Sequence, residues 1–231
     1  LCTTDDPIDD LKWHKVIRED ETFDVQVLPA WRPDKAMNLE KPGYQEYIQK
    51  LAEVSGTQIR TFADLKEAMK KRMEFFHSMG CLVSDHGLDY VMYAPASEKE
   101  VEKIFQGALA GEPVSKEDAA KFKTAFMLFI APEYARKGWV MQLHYGCKRD
   151  NNKAMYAKLG PDTGFDCISN YTPADQLADF LNAVNDTGKL PKTIIYSLNP
   201  ADDEAIGTII GCFQNSDAIG KIQQGSAWWF N

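Results

Sequence analysis

No glycine-rich phosphate loop of the GxGxxG or GxxxxGKS type follows any apolar run in this chain, which argues against a nucleotide site at a strand-to-helix turn. A basic field is missing too. Lys and Arg number 26 against 34 Asp and Glu, for a net charge of -8 and a pI near 5.1. A nucleic-acid partner is therefore not expected, since little positive charge is available to displace counterions from phosphates. No apolar run approaches the roughly 20 residues that span a bilayer, so no membrane partner is expected either. The five cysteines are odd in number and lack CxxC spacing. They read as reduced thiols of a cytoplasmic protein, with Cys81, Cys147, Cys167 and Cys212 serving as packing. Histidine is sparse: His14, His77, His86 and His144 are all there are, and no two are separated by a single residue.

What the chain does have is a repeated grammar of apolar runs ending in polar tips, alternating with helical patterns. Its 231 residues, 44% hydrophobic, suffice for one large domain over 1–231. Residues 1–5 read as the end of a strand, and Asp6-Pro7 as the start of a helix carrying Ile8, Leu11, His14 and Ile17. Val25 to Trp31 is a second apolar segment, broken at Trp31-Arg-Pro-Asp34. Tyr44, Tyr47, Ile48, Leu51 and Val54 repeat at helical spacing until Gly56, and Thr61 caps the next helix. Cys81 to Ser84 is a strand tipped by Asp85-His-Gly87. Two helices follow, each announced by a capping box, Ser97 with Glu100 and Ser115 with Asp118. Val140 to Leu143 is a strand tipped by His144. The turn-rich run from Lys158 to Asp166 reads as a shaped loop over the strand ends. Thr172-Pro173 opens a helix, Thr193 to Leu198 is a fifth strand, Asn199-Pro200 opens another helix, and Lys221 to Gly225 begins a sixth strand.

Strands alternating with helices imply parallel pairing through right-handed crossovers. Without a phosphate loop, an α/β fold of the (β/α)8 TIM-barrel kind is the better reading than an open nucleotide-binding sheet. Six strand-helix units are two short of eight. Open edges would expose unpaired backbone groups, so the expectation is a partial barrel, an interior portion of a longer chain that lacks its first and last staves.

Several motifs carry a resemblance: Cys2-Thr-Thr-Asp-Asp-Pro7, Pro29-Ala-Trp-Arg-Pro-Asp-Lys35, Ser84-Asp-His-Gly87, Gly138-Trp-Val-Met-Gln-Leu-His144, Leu159-Gly-Pro-Asp-Thr-Gly-Phe-Asp166, Leu190-Pro-Lys-Thr-Ile-Ile-Tyr196 and Gly225-Ser-Ala-Trp-Trp-Phe-Asn231. From Cys2 to Asn231 the chain resembles the uronate (glucuronate) isomerases of the amidohydrolase superfamily. The resemblance implies a TIM barrel that interconverts D-glucuronate with D-fructuronate and D-galacturonate with D-tagaturonate. It also implies a divalent metal such as zinc. The family's His-x-His on the first strand and Asp-Ser-Arg on the eighth are absent from this sequence, so the main metal ligands are expected outside it. A homo-oligomer of chains acting on a small hexuronate is the expected assembly.

Converting an aldose acid to a keto acid moves a proton between C2 and C1 through an enediol. Such a site needs a carboxylate anchor, a base and a group that holds the developing oxyanion. Arg32 is the anchor by its planar fork, with Trp31 beside it; a surface pair with Asp34 is the plain alternative. Asp85, His86 and His144 stand where the superfamily places proton carriers or metal ligands, with Asp85 orienting His86 and His144 a candidate metal ligand. Asn199 and Asn231 are candidates for sugar hydroxyls, though Asn199 can equally cap a helix. Trp228 offers an apolar face for the sugar, and Arg149 with Asp150 and Asn151 reads as an exposed cluster. Two other readings stand beside the isomerase: a metal-dependent hydrolase on the same barrel, and a catalytically incomplete piece that only binds a sugar acid.

Overall fold

Six chain segments lie side by side as parallel staves, in the order in which they occur. The computed structural model describes residues 1–226. The first two staves are short, residues 2–5 and 28–31, joined by the parallel bridges Cys2 to Leu28 and Asp5 to Trp31. Trp31 bridges on to Ser84 in β1 (Val83–Gly87), which pairs with β2 (Val140–Tyr145). A small excursion, β3 (Cys147–Lys148) against β4 (Cys167–Ile168), interrupts the series as an antiparallel pair. The staves resume with β5 (Thr193–Ser197), parallel to β2, and β6 (Ile222–Gln224), parallel to β5. This arc of a parallel barrel agrees with the expected strand order, although the expected strand from Val25 pairs only over 28–31.

The helices are α1 (Lys12–Glu19), α2 (Asp34–Met37), α3 (Tyr44–Ser55), α4 (Phe62–Ser78), α5 (Glu98–Leu109), α6 (Lys116–Lys137), α7 (Lys153–Leu159), α8 (Ala174–Asp186) and α9 (Asp203–Cys212). Gly56 and Gly138 close α3 and α6 in the left-handed conformation that glycine adopts without strain. Thr61 and Ser97 form full capping boxes with Asp64 and Glu100. Such a cap is worth about 1 kcal/mol. The box expected at Ser115 is only half formed: its hydroxyl accepts the Asp118 N–H, while the Asp118 carboxylate takes the same hydroxyl rather than a backbone donor.

Two helix starts differ from expectation. Residues Pro7 and Ile8 form a turn held by Asp6, whose carboxylate accepts the Ile8 N–H at 3.1 Å, and α1 begins only at Lys12 after Leu11 in a left-handed conformation. Thr172 donates to Asp202 at 2.7 Å instead of capping α8. Helix α7 precedes the run from Lys158 to Asp166 that reads in sequence as a loop and reaches into it only at Lys158 and Leu159.

Along β2 and β5 burial alternates with period two. Met141, Leu143 and Ile195 are wholly buried in the hydrophobic core, whereas Val140, Gln142, His144, Ile194 and Tyr196 form a half-buried row on the opposite face. Successive strand residues point to opposite faces, so this second row lines the concave side of the arc. The register carries it into β1, where Asp85 sits opposite Gln142 and His86 opposite Leu143.

The turn after the first stave is held from below by Arg72 of α4. Its Nε donates to the Pro7 carbonyl at 2.7 Å and its Nη2 to the Asp9 carbonyl at 2.8 Å. Arg72→Met should strand both carbonyls and lower unfolding stability by about 1–3 kcal/mol, read from denaturant midpoints.

Candidate active site

Thr4, Arg32, Asp85 and His144 come from four successive staves and meet at their carboxyl ends. Asp85 joins them. Its Oδ2 accepts the Thr4 hydroxyl at 3.1 Å, and its Oδ1 lies 3.3 Å from Arg32 Nη2 and 2.8 Å from His144 Nδ1. Burial pushes the Asp85 carboxyl up, but His144, the Arg32 charge and the Thr4 hydroxyl together outweigh it and hold the group below the usual carboxylate range.

Arg32 is held on two sides, with Nε 3.4 Å from Asp34 Oδ2 and Nη2 against Asp85. Its side chain keeps a third of its surface exposed at the strand tips. Asp34 Oδ2 also accepts the Gly87 N–H at 2.8 Å. A side chain at position 87 would place Cβ 2.8 Å from Arg32 Nη2, so glycine is what lets the guanidinium lie across this tip.

The His144 ring stacks on Tyr196, with centroids 4.3 Å apart and planes at 10°. The Tyr196 hydroxyl donates to Gln142 Oε1 at 3.0 Å, and burial with the nearby Asp85 charge raises the phenol above its ordinary pKa. Gly225 on the neighbouring stave leaves room for that ring, because any Cβ there would overlap it. Gly225→Ala should displace Tyr196, lower stability by about 1–3 kcal/mol and reduce the rate of the full-length protein. Melting curves and steady-state rates of the variant would check both parts.

The remaining predicted site residues are placed differently. Strand parity turns His86 away from Asp85 and into the helix layer, where it is 0% exposed; its Nδ1 faces Asp34 and its Nε2 is 2.9 Å from the Tyr134 hydroxyl. Asp85 therefore orients His144 and not His86. Trp31 is also 0% exposed, edge-on to Phe76 at 4.9 Å and beside Trp139 at 6.2 Å, so it is core rather than a wall for ligand. Asn199 takes the capping role: Oδ1 accepts the Ala201 N–H at 3.2 Å and Nδ2 donates to Asp202 at 3.2 Å, at the head of a 3-10 turn over Pro200–Asp202. Trp228 and Asn231 lie outside the described residues.

Arg149 is in the exposed cluster, 3.1 Å from both Asp162 and Asp166. Burial pushes the Cys81 thiol up to about 12 and the Cys147 thiol up to about 11, as suits packing. Cys167 and Cys212 are exposed, contrary to expectation. Sequence reading gave no role to Thr4, Gly87, Tyr134, Gln142 or Tyr196. Thr4, Gly87 and Tyr196 lie at or near the end of a stave, Gln142 lies mid-strand on the concave row, and Tyr134 lies on helix α6.

Among the described residues no three of His, Cys, Asp and Glu form a group that could hold a metal ion. His144, the one residue raised as a ligand, has its Nδ1 2.8 Å from Asp85 Oδ1, the arrangement in which a carboxylate orients a ring whose Nε2 would be the ligating atom. Among the same residues no helix is long and apolar enough to cross a membrane.

Parallel staves in chain order, with a charged cluster at their carboxyl ends, define a (β/α)-barrel protein of the kind that places its active site there. The chain belongs to the glucuronate isomerase family, whose family model matches residues 1–231. It is 64% identical over 231 residues to the uronate isomerase of Lachnoclostridium phytofermentans, covering 100% of this chain and 50% of that protein. The uronate isomerase of Lachnospira eligens is 61% identical, with 100% and 49% covered. Among solved structures, the uronate isomerase of Thermotoga maritima superposes with a TM-score of 0.90 at 34% identity, over 100% of this chain and 49% of that one. The glucuronate isomerase of Caulobacter crescentus gives 0.86 at 27% identity, over 100% and 46%. The chain spans about half the length of the curated relatives it matches.

Proposed function

We propose that the full-length protein interconverts hexuronates as aldose and ketose, D-glucuronate with D-fructuronate and D-galacturonate with D-tagaturonate, through an enediol. The observation that carries this reading is the placement of a fork-shaped cation, Arg32, beside an Asp85–His144 pair at the open end of the staves. Arg32, whose side chain keeps a third of its surface exposed, grips the substrate carboxylate through its guanidinium. The Asp85–His144 pair carries the proton: the C2–H bond breaks and its electrons form the C1–C2 double bond as the C1 carbonyl pair moves to O1, which takes a proton; O2–H then gives up its proton as the C2 carbonyl forms and a proton returns at C1. Asp85 holds the His144 ring from one side, and Tyr196 fixes its plane from below.

A hydrolase reading on the same barrel is not favoured, since the family match is to isomerases. A divalent metal of the superfamily, when bound, would supply Lewis-acid polarisation. The test is turnover of D-glucuronate to its 2-keto isomer by the full-length protein, followed by NMR of the product; hydrolysis of lactones or amides without isomerisation would refute the reading.

A further inference from the structure

Arg32 lies between two aspartates, and each aspartate faces a histidine. The two halves are not equivalent. His144 is on the concave row with a side chain 19% exposed, whereas His86 is sealed, and so is Tyr134 behind it. A buried imidazole is unfavourable unless both nitrogens find partners. His86 Nε2 finds the Tyr134 hydroxyl at 2.9 Å, and Nδ1 lies 3.3 Å from Asp34 Oδ1 in a charge contact without hydrogen-bond alignment. Asp34 Oδ1 is itself buried and makes no hydrogen bond among the described residues, so the charge contact with His86 Nδ1 is what faces it, while Oδ2 lies 3.4 Å from Arg32 Nε and accepts the Gly87 N–H. The rotation of this carboxylate is therefore set by His86 on one oxygen and decides the position of Arg32 on the other.

We infer that His86 is a positioning residue that acts through Asp34 on Arg32, so that it governs the grip on the substrate carboxylate and not the proton transfer. This rests on the proposed role of Arg32. The relay runs from Tyr134 on α6 through His86 and Asp34 to the guanidinium, with Tyr134 and His86 fully buried and the Asp34 side chain 13% exposed.

Asparagine and glutamine separate the two ring nitrogens. In His86→Asn the amide sits where Nδ1 does and can still face Asp34. In His86→Gln it reaches towards Tyr134 instead. With the full-length protein and D-glucuronate, His86→Asn, which loses the Tyr134 contact alone, should raise KM about threefold, and His86→Gln should raise it about tenfold or more, with kcat within about threefold in both. Equal effects of the two variants would overturn the inference, as would a fall in kcat as large as the rise in KM. If neither variant folds by circular dichroism, Tyr134→Phe decides, because it removes one hydroxyl and keeps the ring. A KM raised about threefold or more supports the relay, and an unchanged KM overturns it. Arg32→Met separates the two failures. If it leaves KM unchanged, the anchor reading falls; if it raises KM while His86→Gln does not, only the relay falls.

Discussion

Replacing Arg32 with Met in the full-length protein is expected to lower kcat/KM for D-glucuronate by about 10²- to 10³-fold. The fork makes two charge-assisted hydrogen bonds to a carboxylate, each worth about 1.5–3 kcal/mol, and about 1.4 kcal/mol corresponds to a tenfold change. A second effect has the same sign. Arg32 is the cation that lies between Asp34 and Asp85, 3.4 Å and 3.3 Å from their carboxylates. With methionine there, an incoming carboxylate would meet two uncompensated negative charges, so most of the loss should fall on KM. Arg32→Lys restores the charge but not the planar fork. It should recover less than about a tenth of the lost kcat/KM, because a single ammonium cannot face two aspartates and a carboxylate in the geometry that the guanidinium holds. Steady-state rates on D-glucuronate for the three proteins check this, and a methionine variant with unaltered KM would remove Arg32 from the binding role.

The same residues show where sequence is a good guide and where it stops. The mostly apolar run Val140-Met-Gln-Leu143 and the run from Thr193 to Leu198 announce staves as short apolar stretches ending in polar tips, and the structure adds a two-residue alternation of burial along both. That rhythm also holds the answer for the Asp85-His86 pair. Neighbours in a strand cannot both face the cavity, so reading them as one catalytic couple conflicts with their adjacency. Which of the two faces inward depends on register with β2, a contact across more than 50 residues that no local window contains. Arg32 with Asp85, 53 residues apart, and Tyr196 with Gln142, 54 apart, are pairings of this long-range kind.

Between Gly146 and Thr172 the chain makes two strands of two residues and one short helix. Elements that short fall below any periodic signal. The tip of the first stave fails for a different reason: Asp6-Pro7 has the chemistry of a helix start, but Asp6 uses its carboxylate to build a turn that also accepts the Tyr47 hydroxyl at 2.9 Å. Tertiary contacts chose between two local structures that the same residues permit.

Asp85→Asn should separate the structural from the chemical work of the cluster. At pH 7 the carboxylate accepts from Thr4 and faces both Arg32 and His144. An amide keeps the shape but loses the charge that favours a proton on His144 Nδ1, and general acid–base assistance is worth about 10²- to 10⁴-fold. A fall in kcat of about 10²-fold with a smaller change in KM is expected, because Asp34 still holds one side of Arg32. Stability should follow a defined pH course. Since the Asp85 carboxyl sits below its ordinary pKa in the folded protein, its stabilising contribution is fully present above the unfolded value of about 4 and is lost as pH falls through the folded value. The variant should therefore be less stable than wild type at pH 7, and the gap between their denaturation midpoints should close as the medium is acidified below about pH 4. A gap that stayed constant from pH 7 to pH 3 would mean that Asp85 contributes by shape alone, and wild-type kcat in the variant would take the proton-carrying role away from the Asp85–His144 pair.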